Sequence, residues 1–238
     1  MLLTRDLRVA RSLRLTLMSV YETLAICAPT VVEAAVGRVS KATCDERLSR
    51  WGHRIVDGTR MDVTVVGRDH VVPGETFVVM SNHQSHYDVP VLFHVLGGNL
   101  RMVAKQELFR IPVFGGAMRG AGFISVDREN RESAIRSLEA AKPMLRGGTH
   151  LWIAPEGTRS LDGKLGPFKK GGFVLAHDLE LRILPVTLTG TRNVLPSHGA
   201  LTAPDEPVHV TFHAPVSSSG PRDEVMAAVR EAIASALP

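Results

Sequence analysis

Short apolar runs alternate with longer amphipathic segments along the chain from about residue 50 onward. Runs rich in β-branched side chains and bounded by turn residues are typical of strands, whereas segments with an apolar period of about 3.6 residues are typical of helices. The predicted strands lie at residues 63–66, 76–80, 101–105, 123–126, 150–154, 183–189 and 208–212. The predicted helices lie at residues 87–95, 107–118, 129–145, 171–177 and 222–236. Because such alternation places helices in the connections between strands, it predicts an α/β fold with a mixed, largely parallel sheet flanked by helices.

The amino-terminal segment has a different pattern, in which one helix face is basic and the opposite face is apolar. At about 100° per residue, four arginines fall on one broad arc and several apolar side chains fall mostly on the other. The arginines are Arg5, Arg8, Arg11 and Arg14, and the apolar residues are Leu2, Leu3, Val9, Leu13, Leu17 and Val20. This pattern is typical of a basic amphipathic helix in the lipid headgroup layer, and a helix packed on the domain also fits it. A cleaved signal peptide is a third reading, which Glu22 disfavours because it interrupts the apolar stretch.

The same segment contains no uninterrupted apolar run of membrane-spanning length. Between Glu22 and Glu33 only ten residues are uncharged, and Pro29 is among them. Since a spanning helix requires about 20 apolar residues, the sequence predicts no transmembrane helix. Without an internal repeat or a low-complexity linker, the chain divides into an amino-terminal helical extension at residues 1–50 and one α/β domain at residues 51–238.

The composition is that of a folded protein with anionic partners. Of its 238 residues 44% are apolar, which is enough for an ordinary core. Its net charge of +4 favours phosphates, acidic carrier proteins or anionic lipid surfaces. Nucleic acid is not expected, because the aromatic residues, 5% of the chain, are not interleaved with basic stretches. The two cysteines, Cys27 and Cys44, lack the spacing of a zinc site and fit a reducing, cytoplasmic compartment.

Polar clusters follow three of the predicted strands at the point where each strand ends. They comprise residues 81–88, Asp127 with Arg128, and residues 155–159. The carboxyl edge of an α/β sheet is where ligand sites usually form. If the three strands are parallel, the three clusters converge on one site.

The first cluster contains a histidine five residues before an aspartate, His83 and Asp88. On one ideal helix their side chains would point about 140° apart, so they meet only if a loop enters a helix between them. Asp88 would then fix the imidazole tautomer and stabilise its cation, which makes His83 a general base for a hydroxyl. Two other readings stay open, a chance pair and a metal site that also uses His86. The absence of a Gly-x-Ser-x-Gly elbow favours direct transfer over a covalent acyl-enzyme.

A glycine and an arginine at residues 155–160 indicate an anion site. Gly157 permits close approach of a ligand to the backbone, and Arg159 can hold a phosphate through two hydrogen bonds. Further basic side chains come from the same segment and from others: Lys105, Arg119, Arg128, Lys169 and Lys170. A phosphate monoester is the expected ligand, although each residue alone also fits a solvated basic surface.

Four segments in this order resemble the sequence blocks of the glycerolipid acyltransferase family, the lysophosphatidate acyltransferases. They are NHQSHYD at residues 82–88, GFISVDR at 122–128, APEGTRS at 154–160 and LPVTL at 184–188. The resemblance implies that His83 is the base and Asp88 its orienting partner. It also assigns acceptor binding to Gly157, Thr158, Arg159, Arg128 and Lys105, and a structural or hydroxyl-binding role to Glu156.

The resemblance implies an enzyme that moves a fatty acyl group from acyl-CoA or acyl carrier protein to the free hydroxyl of 1-acyl-glycerol-3-phosphate, giving phosphatidic acid. The donor is a substrate, and no metal or other cofactor is expected. The family also implies an amino-terminal helical pair on the bilayer, here at the cytoplasmic face of the cell membrane in a peripheral or monotopic protein. The alternatives are another lysolipid acceptor such as lyso-ornithine lipid, a non-catalytic lipid-binding module and a thioesterase.

Overall fold

The structure is a computed structural model that describes residues 2–127 and 130–238, except for the side chains of residues 2–8 and 131. The strands are β1 (Asp62–Val66), β2 (Val78–Ser81), β3 (Leu100–Lys105), β4 (Ile124–Val126), β5 (His150–Ile153), β6 (Ile183–Thr189) and β7 (Pro207–Phe212). The α-helices are α1 (Leu2–Ala35), α2 (Lys41–Thr59), α3 (Asp88–Leu96), α4 (Phe114–Gly120), α5 (Arg131–Glu139), α6 (Lys142–Arg146), α7 (Gly171–Asp178), α8 (Thr191–Val194) and α9 (Arg222–Ser235). Short 3₁₀ helices lie at Arg68–His70 and Gln106–Arg110.

The seven strands form one sheet in the order β1-β7-β6-β2-β5-β3-β4. Neighbouring strands are parallel, except for β6 and β7, which are antiparallel. The mixed, largely parallel sheet predicted from the sequence is therefore confirmed. The register of β2 and β5 aligns Met80 with Ile153, so the polar segments that follow these two strands leave the sheet side by side.

Apolar side chains cover both faces of the sheet, because successive residues of a strand point to opposite faces. Val79 belongs to the core beneath α2 and α3, whereas Val78 and Met80 belong to the core beneath α6, α7 and α9. Complete burial of one such side chain stabilises the fold by roughly 1.5–3 kcal/mol. The sheet is thus the middle of three layers, and its carboxyl edge is held rigidly between them.

The predicted strands are all present, with ends within two residues of those expected, but two predicted helices are each divided. The segment 107–118 breaks into a 3₁₀ helix and α4, because Pro112 intervenes and Val113 has a φ of 65°. The segment 129–145 breaks into α5 and α6, since Pro143 has no N–H to continue the helical hydrogen bonds. Helix α2 runs through the boundary drawn after residue 50 and ends at Thr59.

Helix α1 is 34 residues long and packs on α2 and α4. By length and hydropathy alone its segment Val9–Ala35 is sufficient to cross a membrane, which differs from the prediction. The prediction counted Glu22 as an interruption, whereas in the fold Glu22 is buried and forms an ion pair with Arg54 at 3.0 Å. Two further ion pairs attach the helix on either side of this point: Arg11 to Asp205, and Glu33 to Arg47.

The apolar face of α1 points away from the domain. Leu17 is 60% exposed and Leu24 is 48% exposed. The other large exposed side chains of this helix are Val9, Leu13, Val20, Tyr21 and Val32. Because these residues recur at helical spacing, they form one stripe, which we call the α1 stripe. The predicted arginine arc is described only from Arg11 onward, since the side chains of Arg5 and Arg8 lie outside the described ones.

Candidate active site

Asn82 turns the chain out of the sheet at the end of β2. Its side-chain nitrogen donates to the Leu188 carbonyl at 2.7 Å, and its side-chain oxygen accepts the Leu188 N–H at 2.8 Å. The side chain thus replaces a backbone partner for β6, and the main chain is released into a loop. Asn82 had no predicted role, because its partner lies 106 residues further along the chain.

The loop brings His83 and Asp88 into contact. Nδ1 of His83 lies 2.7 Å from Oδ2 of Asp88, the first residue of α3. The same oxygen accepts the backbone N–H groups of Gln84 at 2.7 Å and Ser85 at 2.9 Å, which closes the loop that the five-residue spacing requires. A carboxylate only accepts hydrogen bonds, so Nδ1 carries the proton and Nε2 keeps a free lone pair. This tautomer is the one that a general base needs.

The imidazole of His83 packs against Trp152 and stays partly accessible to solvent. Its side chain is 16% exposed, whereas Asp88 is fully buried. Trp152 meets the His83 ring edge-on, with ring centroids 5.4 Å apart, and its indole N–H donates to the Ser81 hydroxyl at 2.9 Å. Trp152 comes from β5 and Ser81 from β2, so the contact ties the ring to both adjacent strands.

The segment after β5 grips the His83 backbone from both sides. Oε1 of Glu156 accepts the His83 N–H at 3.1 Å, and Oε2 accepts the Gly166 N–H at 2.7 Å. The Ser160 N–H donates to the His83 carbonyl at 2.7 Å. Burial raises the pKa of Glu156, and the two backbone N–H groups act against this rise. Of the two roles expected for Glu156, the geometry favours the structural one, because both oxygens are occupied by backbone donors.

Arg159 lies on the segment that follows β5, and its charge acts on His86. Its Nη1 donates to the Ser197 carbonyl at 3.0 Å, which restricts the direction of the guanidinium. Desolvation lowers the pKa of His86, and the positive charge of Arg159 lowers it further, whereas the Asp88 carboxylate acts against this shift. Thr158 is exposed and Gly157 is partly exposed, so the backbone between Glu156 and Arg159 faces solvent. Arg159 is therefore close enough to His86 to influence its protonation.

Other predicted basic residues lie farther away. Lys105 ends β3, two strands from β2, which is roughly 10 Å across the sheet. It is exposed and forms an ion pair with Glu107 at 2.9 Å. Asp127 follows β4 at the sheet edge, and Arg128 lies outside the described residues. The guanidinium of Arg119 donates to the Phe109 carbonyl at 2.6 Å. Of the three polar clusters, two are joined by direct hydrogen bonds, the one at residues 81–88 and the one that begins at Pro155.

The described part of the chain contains no group of three His, Cys, Asp or Glu side chains that could hold a metal ion. The metal reading of His83, His86 and Asp88 therefore has no geometric support there. The contact of His83 with Asp88 also argues against a chance pair, since their facing atoms are within hydrogen-bond distance.

Two apolar cavities lie between α1 and the domain, and Trp51 and Thr23 line both. The larger, about 290 Å³, reaches the site at His86 and Tyr87. The smaller, about 80 Å³, is lined in part by Phe114, Ala117 and Met118 of α4. The larger cavity therefore offers apolar space next to the loop that carries His83.

Comparison with known proteins gives a consistent result. Residues 62–189 match the family model of the acyltransferases. A 1-acyl-sn-glycerol-3-phosphate acyltransferase of Chlamydomonas reinhardtii is 34% identical over 177 residues, which are 74% of this chain and 53% of that protein. The human 1-acyl-sn-glycerol-3-phosphate acyltransferase alpha is 38% identical over 128 residues, 53% of this chain and 45% of its own length.

A solved structure covers almost the whole chain. The 1-acyl-sn-glycerophosphate (LPA) acyltransferase PlsC from Thermotoga maritima superposes with a TM-score of 0.78 at 26% identity, covering 96% of this chain and 97% of that one. The chain spans about half the length of the curated relatives it matches.

Proposed function

Because the chain belongs to the acyltransferase family, we propose that it transfers a fatty acyl group from a thioester to the free hydroxyl of 1-acyl-glycerol-3-phosphate and forms phosphatidic acid. The observation that carries this proposal is the contact of His83 with Asp88, in a loop bonded on both sides to the segment that bears Arg159. The names of the relatives and of the Thermotoga maritima protein support the choice of acceptor.

His83 acts as the base in the proposed reaction. Nε2 takes the hydroxyl proton of the acceptor as that oxygen attacks the thioester carbonyl, and a tetrahedral oxyanion forms. Collapse breaks the carbon–sulfur bond, and the leaving thiolate takes the proton from the imidazolium, which restores neutral His83. Between these steps Asp88 stabilises the imidazolium through the 2.7 Å contact with Nδ1.

Arg159 binds the acceptor phosphate in this proposal. A guanidinium has five N–H donors, so the hydrogen bond to Ser197 leaves others for a phosphate. Glu156 and Ser160, which lie before and after Arg159 in the sequence, are both hydrogen-bonded to the His83 backbone. A phosphate held by Arg159 therefore keeps the rest of the acceptor at a fixed reach from the imidazole, which lowers the entropic cost of the reaction.

The substrates are lipids, and the α1 stripe is the surface on which the chain meets them. Because ion pairs attach α1 to the domain at Arg11, Glu22 and Glu33, the helix lies on the bilayer rather than across it. We propose that the chain acts at the cytoplasmic face of the cell membrane as a peripheral or monotopic protein. Acyl-CoA or acyl carrier protein supplies the acyl group as a substrate, and the proposed steps use no metal or other cofactor.

The test is transfer from a radiolabelled acyl thioester to lysophosphatidate, with wild type, His83→Ala and Arg159→Ala. The wild type should form phosphatidic acid, and His83→Ala should lose about 10²- to 10⁴-fold in kcat because it lacks the base. Arg159→Ala should mainly raise the KM for lysophosphatidate while the KM for the thioester stays unchanged. His53→Ala, an exposed histidine of α2, is the matched control and should keep wild-type activity.

Three results would overturn the proposal. Release of free fatty acid at one rate with and without an acceptor would identify a thioesterase. A His83→Ala variant that keeps every measurable property, lipid binding included, would identify a non-catalytic lipid-binding module. Transfer to lyso-ornithine lipid but not to lysophosphatidate, in a panel of acceptors with one donor, would identify a different substrate.

A further inference from the structure

The space next to Gly157 is occupied by a side chain of the protein itself. Gly157 has a φ of 71°, and a β-carbon placed on it would lie 2.9 Å from Cε and 3.2 Å from Cδ of Lys169. The sequence predicts that this glycine leaves the backbone open to a ligand. In the fold its bare α-carbon makes room for the aliphatic stem of Lys169 on one side.

Lys169 is fixed at its backbone as well as along its stem. Its N–H donates to the Pro155 carbonyl at 2.8 Å, which ties residue 169 to the start of the segment that carries Gly157 and Arg159. Its side chain is exposed, and the ion pairs of the described residues do not include it. The nearest acidic residue of the segment, Glu156, uses both oxygens for backbone N–H groups. The aliphatic stem of Lys169 is thus packed against Gly157, while its ammonium group is exposed.

We propose that Lys169 is the second cation that recognises the acceptor phosphate, so that it determines the preference for anionic over phosphate-free lysolipids. The inference rests on the proposed function and extends it. A phosphate monoester carries close to two negative charges at neutral pH, and Arg159 supplies one positive charge. A lysine ordinarily loses rotamer freedom when it binds an anion. Because the stem of Lys169 is packed on Gly157 beforehand, less of that freedom remains to be lost.

The sequence alone puts Lys170 among the basic side chains of the anion site as well, but its place in the fold differs, which makes it the matched control. It has the same charge, is also exposed and is adjacent in sequence. Its backbone, however, is helical at the start of α7, where its carbonyl accepts the N–H groups of Phe173 and Val174. The three atoms nearest to a β-carbon built on Gly157 all belong to Lys169. A general effect of positive charge would affect both lysines alike, whereas a specific site distinguishes them.

The experiment compares wild type, Lys169→Met, Lys169→Arg and Lys170→Met with lysophosphatidate and with lyso-ornithine lipid, at one thioester concentration series. Methionine keeps the apolar stem and removes the charge. Lys169→Met should raise the KM for lysophosphatidate about 10- to 100-fold, the usual effect of losing a charged hydrogen bond, with little change in kcat. The KM values for lyso-ornithine lipid and for the thioester should stay unchanged. Lys169→Arg should recover most of the affinity, and Lys170→Met should match wild type.

A second variant tests the packing. Gly157→Ala displaces the stem of Lys169 and strains the backbone at a φ of 71°, so it should raise the KM for lysophosphatidate, and by a larger factor in the wild-type chain than in the Lys169→Met chain. Equal KM values for Lys169→Met and Lys170→Met would overturn the inference, as would a rise in the KM for the thioester alone. Both results leave the proposed function intact. A wild-type chain that does not acylate lysophosphatidate would instead overturn the proposed function and this inference with it.

Discussion

Asp88 makes its hydrogen bonds with one oxygen only. Oδ2 accepts from His83 and from the backbone N–H groups of Gln84 and Ser85, whereas Oδ1 is buried and has no partner in the described part of the chain. One side chain therefore has two tasks. Its oxygen shapes the loop, and its negative charge is available to stabilise the imidazolium.

We expect Asp88→Asn to separate these tasks. The amide oxygen can accept the same N–H groups, but a neutral side chain does not stabilise the imidazolium, so kcat should fall about 10²- to 10⁴-fold. The amide nitrogen would be buried in the place of Oδ1, which has no hydrogen-bond partner in the described part of the chain, and an unpaired donor there should lower the free energy of unfolding by about 1–3 kcal/mol. Steady-state kinetics and urea denaturation measure the two effects. Asp178→Asn, which alters an ion pair with Lys142, is the control, and a kcat for Asp88→Asn within threefold of wild type would contradict the assignment.

Residue types predict the reacting groups of this site but not the groups that support them. The spacing of His83 and Asp88 predicts a base and its partner only together with the resemblance to the acyltransferases, because a chance pair and a metal site also fit it. Glu156 stays between two roles until the fold shows its oxygens on the backbone N–H groups of His83 and Gly166. Trp152 has no predicted role, since a tryptophan in a strand is most often part of a core. Supports of this kind depend on distant segments, which local pattern does not contain.

The proposal that the α1 stripe binds the membrane can be tested by substitutions in helix α1. Leu17→Glu and Leu24→Glu change two exposed side chains of the α1 stripe, so the free energy of unfolding should stay unchanged. Vesicle binding should weaken about tenfold or more for each, because burying a leucine in lipid is worth roughly 1.5–3 kcal/mol. Co-sedimentation with vesicles that contain anionic lipid measures this effect. Ile135→Glu, at a similarly exposed apolar residue of α5, should bind as wild type does, and equal binding by all three variants would contradict the proposal.

The helices show where periodicity is sufficient and where it is not. The strands are predictable because each is a short β-branched run, and the carboxyl-terminal helix α9 is predictable from its apolar period. Periodicity does not reveal that Val113 adopts a φ of 65° and divides a helix. Nor does it reveal that α2 and α3 approach so closely that a β-carbon on Gly52 would lie 2.7 Å from the backbone nitrogen of His94. Both features depend on contacts between elements.

Strand order decides which polar segments meet. Alternating strands and helices are compatible with many orders of a parallel sheet, and each order brings different carboxyl ends together. Here β5 lies beside β2, so the segments of Glu156 and His83 are joined by hydrogen bonds. The strand before Arg128 lies at the edge instead. The prediction that the clusters share one sheet edge follows from the sequence, whereas their separation along that edge follows from the order of the strands.

Acidification from pH 7 to 5 should destabilise the molecule. Burial lowers the pKa of four histidines: His86, His94, His150 and His213. When a histidine has a lower pKa in the folded chain than its unfolded value of about 6.5, its contribution to stability is complete above that pH and is lost as the pH falls toward the folded pKa. Carboxyl groups with lowered pKa values, such as those of Glu33 and Asp162, act only below about pH 4.5. The interval between pH 7 and 5 therefore reports on the histidines, together with an opposing contribution from Glu156, whose pKa is raised by burial.

His150 gives the sharpest form of this prediction, because it begins β5 at the sheet edge opposite His83. Its Nδ1 accepts the Phe77 N–H at 3.1 Å, and burial, followed by the charge of Lys41, lowers its pKa. Protonation of Nδ1 removes that acceptor. His150→Gln keeps an acceptor that does not titrate, so its free energy of unfolding, measured in urea at pH 7, 6 and 5, should fall less steeply than that of wild type. His150→Leu lacks the acceptor at every pH and should be destabilised already at pH 7 with the same shallow slope, whereas three parallel slopes would show that His150 does not couple protonation to folding.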